Sequence, residues 1–416
     1  MTAPLLVINA GSSSLKFQLY DVDGRRDPVL RCGGQIGGIG SDSPMFRAQT
    51  AVGNPLPADA SQAASVRSLQ DAQDLLAHWL SDQLEQAPCA VGHRIVHGGS
   101  RFNGPVLIND AVLTQLEALV PLAPLHQRNN LEPVRVIQER WPQIPQVASF
   151  DTAFHRTHSP LADRFALPDA YYQKGVRRYG FHGLSYEYIA GRLRQTMPDI
   201  AQGRVMVAHL GSGASACAML DGRSVETTMG FTALDGLPMG TRPGTLDPGV
   251  VLWMAQQGMS TDEIQQVLYY ESGLKGLSGI SGDVRELLNS PSPAARMALD
   301  YYAYRIAMCL AGLLVPLGGL DALVFTAGVG EHAAPVRAAI CAHLRFLGIV
   351  LDEARNQRHA HAISAADSPI PVFVMPTNEE WVIAQQTLAC LDTRAAGVAK
   401  GDNTGTGRVA ASVTQG

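Results

Sequence analysis

The chain has 416 residues, with 32 Lys+Arg against 37 Asp+Glu and a formal net charge of −5. Hydrophobic residues make up 46% of it, enough to fill large cores, so global disorder is excluded, and about 150 residues per domain predicts two or three domains. A net acidic chain is a poor bulk binder of nucleic acid or anionic membrane, so an anionic ligand must be met by a local cluster of cations and backbone N–H groups.

Leu5–Ile8 is a short apolar run that ends in Asn9-Ala10-Gly11 and a run of serines. Residues Leu15–Tyr20 then alternate apolar and polar, so the segment reads as strand, Gly/Ser turn, strand. Residues 33–62 are rich in Gly, Pro, Ala and Ser, which predicts loops and weak strands. Leu69, Ala72, Leu76, Trp79 and Leu80 fall at helical spacing. Val205–Ala208, His209-Leu210-Gly211-Ser212-Gly213 and Ala214–Met219 repeat the strand–turn–strand pattern about half a chain later. Two related hairpins predict a duplicated fold, one copy per domain. The apolar run Ile306–Leu317 is too short to span a membrane at about 20 residues, and reads as a buried core helix. Ala322–Thr326 meets Ala327-Gly328-Val329-Gly330-Glu331, and Pro335 opens a helix to Phe346: strand, glycine loop, helix. From residue 396 the composition predicts a disordered tail.

The cysteines Cys32, Cys89, Cys217, Cys309, Cys341 and Cys390 form no C-x-x-C pair. That argues against a disulfide scaffold and for a reducing compartment. The N-terminal segment lacks a basic n-region and a long apolar h-region, so a cytoplasmic protein is expected.

Three small-residue turns follow apolar strands, at Asn9–Ser14, His209–Ser215 and Gly328–Glu331. Such turns bring backbone N–H groups close to phosphate oxygens, so three in one chain point to a phosphate site. None fits the Walker pattern, and the last lacks the third glycine of a dinucleotide fingerprint. Lys16, on the outgoing strand, is placed to reach a phosphate, or equally to face solvent. Arg94, within Gly92–Gly99, and Arg242, within Gly240–Gly244, are glycine-framed guanidiniums suited to clamping phosphoryl or carboxylate oxygens. His126, His155, His158, His182 and His209 cluster in short polar segments, but without paired cysteines or an H-E-x-x-H run a zinc site is not expected. Asp151 ends an apolar run, a position that suits a catalytic carboxylate or a helix N-cap. Glu379 and Glu380 open a helical segment, where they either complement its dipole or lie near Mg²⁺.

Taken in order, these segments resemble the acetate kinase family. The matching stretches are Asn9–Lys16, Gly92–Gly99, Phe150–His155, Arg178–Gly183, Gly240–Arg242, Ser281–Arg285, Phe325–Glu331 and Thr377–Glu380, spanning about residues 5 to 385. The resemblance implies an α/β fold of two duplicated actin/hexokinase/Hsp70-like (ribonuclease H-like) domains with the active site in the cleft between them. It implies a first domain over 1–152 completed by a C-terminal helix at about 382–395. The second, over 153–381, would hold the adenosine pocket and a dimer interface. The implied reaction is reversible transfer of phosphoryl between ATP and acetate, giving ADP and acetyl phosphate, with Mg²⁺ or Mn²⁺, in a homodimer.

By the same resemblance, Arg94 and Arg242 hold the carboxylate and the moving phosphoryl group, His182 stabilises the transition state, and Asp151 lies near the nucleophile. Val96, Leu125 and Phe181 form the apolar acyl pocket. Lys16, His209, Gly211, Ser212, Gly213, Asp283, Val284, Arg285, Gly328, Val329 and Gly330 bind the nucleotide. Asn9 and Glu379 belong to the metal site. An acetate oxygen is already an anion, so Asp151 is expected to orient an arginine or metal-bound water rather than take a proton.

Four positions depart from the family's pattern. Ser212 stands for Asn in the second phosphate motif, His332 for Asn after the adenosine loop, and Gln127-Arg128 for Asn-Pro. Ala233 stands for a pocket-lining Pro, which predicts better acceptance of propionate, since one methylene in an apolar pocket is worth roughly 1–3 kcal/mol. A gating ATPase of the same fold remains the alternative of a different class, although it would need no carboxylate clamp.

Overall fold

The structure, a computed structural model, describes residues 3–11, 14–23, 27–41, 43–58 and 63–401, with the side chains of Leu125 and of residues 394–401 outside that set. Two mixed sheets form its frame. The first contains β1 (Ala3–Ala10), β2 (Ser14–Val22), β3 (Val29–Gly37), β4 (Met45–Thr50), β5 (Ala90–Ile95), β6 (Val106–Leu107) and β7 (Gln146–Phe150). The second contains β8 (Arg204–Leu210), β9 (Ala214–Leu220), β10 (Arg223–Thr227), β11 (Ala322–Thr326) and β12 (Val372–Val374).

Both expected hairpins form, and the duplication extends beyond them. The first sheet runs β4-β3-β2-β1-β5-β7-β6 and the second β10-β9-β8-β11-β12. Each therefore holds an antiparallel three-strand meander whose first strand pairs in parallel with a later strand, and that one with a fifth. The registers also correspond. Asn9 pairs with Lys16, and His209 with Ser215, each one step before the turn. The two copies thus deliver side chains to equivalent ends of their sheets. Ser12 and Ser13 of the first turn lie outside the described residues.

The run Leu5–Ile8 is continuous rather than alternating because the sheet is covered on both faces. Leu6 and Ile8 pack with Phe17, Leu76, Trp79 and Ile137 under the helices Leu69–Gln83 and Pro124–Arg140. Leu5 and Val7 face Val382 and Ile383 of the C-terminal helix Glu379–Gly401. That helix returns from β12 of the second sheet to β1, β5 and β7 of the first, and it passes the expected end at 395 to reach Gly401. The rest of the expected tail lies outside the described residues. Gly92 permits the docking: a Cβ there would lie 2.4 Å from Thr387 Oγ1 and 2.7 Å from Ile383 Cγ2.

Three sequence expectations need correction. Residues 33–62 contain two regular strands, β3 and β4, not weak ones. Their small residues serve packing; a Cβ on Gly34 would lie 2.7 Å from the Phe17 ring. The Gly328 segment is no loop but the first turn of a helix, Ala327–His332, entered directly from β11 through Ala327 at φ 65°. The helix Pro293–Gly312, which contains the start of the apolar run, is buried along only one face, through Ala295, Ala298, Tyr302, Ile306 and Leu310. Met297, Tyr301, Tyr304 and Met308 form an exposed apolar stripe on another face.

Candidate active site

The cleft between the sheets has three parts. The first is a charged cluster at the ends of β1, β5 and β7. Arg94 Nε donates to Asp151 Oδ1 at 2.9 Å and Nη2 to Oδ2 at 2.5 Å, a bidentate pair. Arg94 Nη1 donates to Asn9 Oδ1 at 3.1 Å, and Asn9 Nδ2 donates to Glu380 Oε1 at 3.0 Å. Burial opposes the Arg94 charge, but the paired Asp151 carboxylate outweighs it and holds the guanidinium charged. Asp151 holds the Arg94 guanidinium through both carboxylate oxygens. Asn9 bridges Arg94 and Glu380, with both ends of its amide engaged.

Glu379 is raised to about 7, first by burial and then by Asp151 and Glu380, against the pull of Arg94 and Lys16. Among the described residues no three His, Cys, Asp or Glu side chains form a closed metal cage. The carboxylates near Lys16 and Arg94 supply oxygen donors only, which suits a hard divalent cation completed by water and phosphate oxygens. A cation beside Glu379 would also relieve its disfavoured charge.

The second part is a pair of stacked imidazoles. His182 and His209 lie with ring centroids 4.1 Å apart and planes 16° from parallel. His182 Nδ1 is 2.8 Å from Ser215 Oγ, and His209 Nδ1 is 2.8 Å from Ser185 Oγ. His182 lies well below its usual pKa, first through burial and then through His209, Arg94 and Arg242. Burial and the neighbouring cations thus favour the neutral ring. Arg242, whose charge burial disfavours, donates from Nη1 to Ala233 O at 2.8 Å. Gly213 marks where the two donors meet. A Cβ on it would lie 3.2 Å from both Arg242 Nη2 and His182 Nε2.

The third part is a pair of pockets, the larger of them lined in part by Gly240 and Thr241. The larger, about 820 Å³, is lined by Lys16, Gly211, Ser212, Asp283, Val284, Arg285, Gly328 and Val329 of the expected set. His332 lines it as well, so the family's Asn is replaced by a largely exposed imidazole at the nucleotide pocket. Asp283 also caps the helix Val284–Asn289, accepting from Arg285 N at 2.7 Å, so the cap and the pocket roles coincide. Gly330 does not line the pocket; it is buried, and its carbonyl accepts from Arg337 Nη1 at 2.8 Å. The smaller pocket, about 10 Å³, is lined by Val96, Phe181, Pro124, His126, Ala233 and Tyr269. That is room for about one water or methyl group. Tyr269 lines this pocket together with Ala233. The Leu125 side chain lies outside the described residues.

Asn130 and Arg337 escaped the sequence reading, and Gln127, His155 and His158 gained their roles only here, because the signal is three-dimensional. Asn130 accepts from Val96 N at 2.8 Å and donates to Ala10 O at 2.5 Å, tying β1 to β5. Gln127, at the departure from Asn-Pro, exchanges hydrogen bonds with His97 N and O and also donates to Leu116 O. It is a structural clamp behind the acyl pocket. Arg337, fully buried, holds the Gly330 and Glu331 carbonyls and so fixes the nucleotide-side helix. His155 and His158 share Ser224 Oγ at 2.8 Å each, a structural arrangement rather than a metal site.

This cleft can hold a nucleotide beside a small carboxylate with cations between them, and comparison with known proteins agrees. Residues 4–385 match the acetokinase family. The chain is 54% identical to the acetate kinase of Nitrobacter hamburgensis over 388 residues, covering 93% of this chain and 96% of that one. It is 49% identical to the acetate kinase of Rhizobium meliloti, covering 93% and 98%. Among solved structures, a propionate kinase from Francisella tularensis superposes with a TM-score of 0.85 at 35% identity, covering 93% and 99%. Acetate kinase from Porphyromonas gingivalis superposes with a TM-score of 0.81 at 34% identity, covering 94% and 100%. With a match that spans the residues building the cleft, the chain belongs to the acetokinase family.

Proposed function

We propose that this protein is a carboxyl-group phosphotransferase that reversibly transfers the γ-phosphoryl group of ATP to acetate, giving ADP and acetyl phosphate. The observation that carries the reading is the convergence of Arg242 Nη2 and His182 Nε2 near Gly213, between a nucleotide-sized pocket and a methyl-sized one. The obstacle in this reaction is one anion approaching another, so positioning and charge neutralisation do most of the work.

A carboxylate oxygen of acetate, its methyl against Val96 and Phe181, attacks the γ-phosphorus in line. The P–O bond to the β-phosphate breaks, its electron pair stays with ADP, and no proton moves. Arg94, held by Asp151 and Asn9, and Arg242 position the carboxylate and the moving phosphoryl group, and His182 donates from Nε2. Lys16 meets the phosphates, with Gly211, Ser212 and Gly213 at the turn and His209 behind it. Glu379 would hold the divalent cation, Mg²⁺ or Mn²⁺, which when bound neutralises phosphate charge.

The same reading divides the chain into residues 1–152 with the C-terminal helix, and 153–381. It places the protein in the cytoplasm. The exposed stripe Met297, Tyr301, Tyr304 and Met308 supports a homodimer, with a second copy covering it. Acetate is the proposed acid, supported by the small apolar pocket that Val96 and Phe181 line; similarity to the Francisella propionate kinase keeps propionate as the second substrate to test.

The test is turnover with ATP and Mg²⁺, trapping acyl phosphate as hydroxamate, across formate, acetate, propionate and butyrate. Mg²⁺-dependent acetyl phosphate supports the proposal. Arg94→Ala and Arg242→Ala should each lower kcat by a factor on the order of 10²–10³. ATP binding without acyl phosphate from any acid would refute it.

A further inference from the structure

His182 is useful to a phosphoryl anion only if the proton of its neutral ring sits on Nε2. With the proton on Nδ1, a lone pair would face the phosphoryl oxygens and repel them. We infer that Ser215 and Tyr186 form a hydroxyl relay that locks the Nε2–H tautomer of His182, making them positioning residues for phosphoryl transfer. The inference rests on the role proposed for His182.

Counting protons carries the argument. Ser215 Oγ lies 2.8 Å from His182 Nδ1 and 2.5 Å from the Tyr186 hydroxyl. Both Ser215 and Tyr186 are fully buried. Among the described residues, neither hydroxyl has another hydrogen-bond partner. Tyr186 stays protonated, its hydroxyl raised well above the usual value, first by burial. Its single proton then has one acceptor, Ser215 Oγ. The Ser215 proton has one acceptor left, His182 Nδ1. Reversing the chain would leave the Tyr186 proton buried with no acceptor, which costs roughly 1–3 kcal/mol. The forward order satisfies every proton and leaves Nε2–H aimed toward Arg242 and Gly213.

Local structure supports the same assignment. His182 precedes the helix Gly183–Thr196 in a left-handed conformation, φ 58° and ψ 22°. A non-glycine residue there is strained, so something must hold it. Tyr186, four residues on and inside that helix, joins His182 in gripping Ser215 of β9. The relay thus ties the helix bearing His182 to the sheet bearing the Gly213 turn. His209 has a similar contact through Ser185, whose Oγ is 2.9 Å from Thr377 Oγ1.

The experiment begins with His182→Ala, expected to lower kcat by a factor on the order of 10²–10³. Ser215→Ala should lower kcat on the order of tenfold, and Tyr186→Phe about threefold, with KM for ATP and acetate within about twofold of the parent. Ser215→Thr keeps the hydroxyl and should restore most of the rate, which separates the relay from a folding defect. In the His182→Ala background, Ser215→Ala should have no further effect. Nitrogen NMR of histidine-labelled protein should show His182 Nδ1 as an unprotonated acceptor, and a tautomer mixture in Ser215→Ala.

An unchanged tautomer and kcat in Ser215→Ala, with His182→Ala inactive, would overturn the relay alone. A tenfold loss that persists in the His182→Ala background would also overturn it, by assigning Ser215 a structural role. An active His182→Ala would overturn both the relay and the role proposed for His182.

Discussion

Acid should unfold this protein well above the pH at which carboxylates normally titrate, because it buries several histidines in neutral form. His93, His97, His155 and His209 are each no more than 7% exposed. Burial lowers His93 to about 4 and the other three to about 3, from an ordinary 6.5. The sign follows from proton counts. The unfolded chain takes up a proton on each ring as pH falls through 6.5, while the native chain does not until its own lower value. Stability is therefore full above 6.5 and lost as pH falls toward 4. At pH 5 each ring costs about 2 kcal/mol, so the four together cost about 8 kcal/mol, comparable to the whole stability of a typical domain. Glu379, raised to about 7, works in the opposite sense, and His126 and His158, lowered to about 4 and about 3, more than offset it.

The assay is urea unfolding followed by circular dichroism between pH 7 and pH 5, with proton uptake measured on unfolding. The expected slope below pH 6 is about 5 kcal/mol per pH unit, or about four protons. His93→Gln removes one titrating ring, so it should flatten the slope by about 1.4 kcal/mol per unit whatever it does to packing. A stability loss under about 2 kcal/mol between pH 6.5 and 5, or an unchanged slope in His93→Gln, would refute the reasoning.

Gly213→Ala sets a methyl 3.2 Å from both Arg242 Nη2 and His182 Nε2, so it should lower kcat on the order of tenfold or more while leaving the melting temperature near the parent's. A kcat within about twofold of the parent would mean the donors do not converge there in the working enzyme. Asp151→Asn should lower kcat without changing the shape of the pH profile between pH 6 and 9, because no proton leaves the nucleophile; a lost acidic or basic limb would restore Asp151 as a base. Asp151→Ala, which strands the Arg94 charge, should cost about 3–5 kcal/mol by urea unfolding. Gly92→Ala forces a methyl against Thr387 and Ile383, so thermal melts should show a loss of about 1–3 kcal/mol, partly recovered by adding Thr387→Ala. No recovery would place the strain elsewhere.

The hairpins, the two sheet copies and the main segments of the cleft can be read from local pattern alone. Apolar runs ending in Gly/Ser turns dictate strand and turn locally, and the repeat of that pattern is visible without coordinates. Arg94, Arg242, His182 and Asp151 were legible because each stands in a dense glycine- or aromatic-framed motif. Which groups face each other depends on the assembled fold. Asp151 became the holder of Arg94 because β5 and β7 pair in parallel, with Arg94 opposite Ser149. Asn130, Gln127 and Arg337 are polar residues on helices, indistinguishable in sequence from solvent-facing ones; burial alone makes their hydrogen bonds obligatory. That Tyr269 shares the acyl pocket with Ala233 is not readable from either segment, since Tyr269 arrives 36 residues later in the chain. The tautomer of His182 was likewise beyond sequence, since it depends on where Ser215 and Tyr186 meet, their hydroxyls having no other hydrogen-bond partner among the described residues. Local pattern sets the elements, but dielectric, packing and hydrogen-bond partners are properties of the assembled chain.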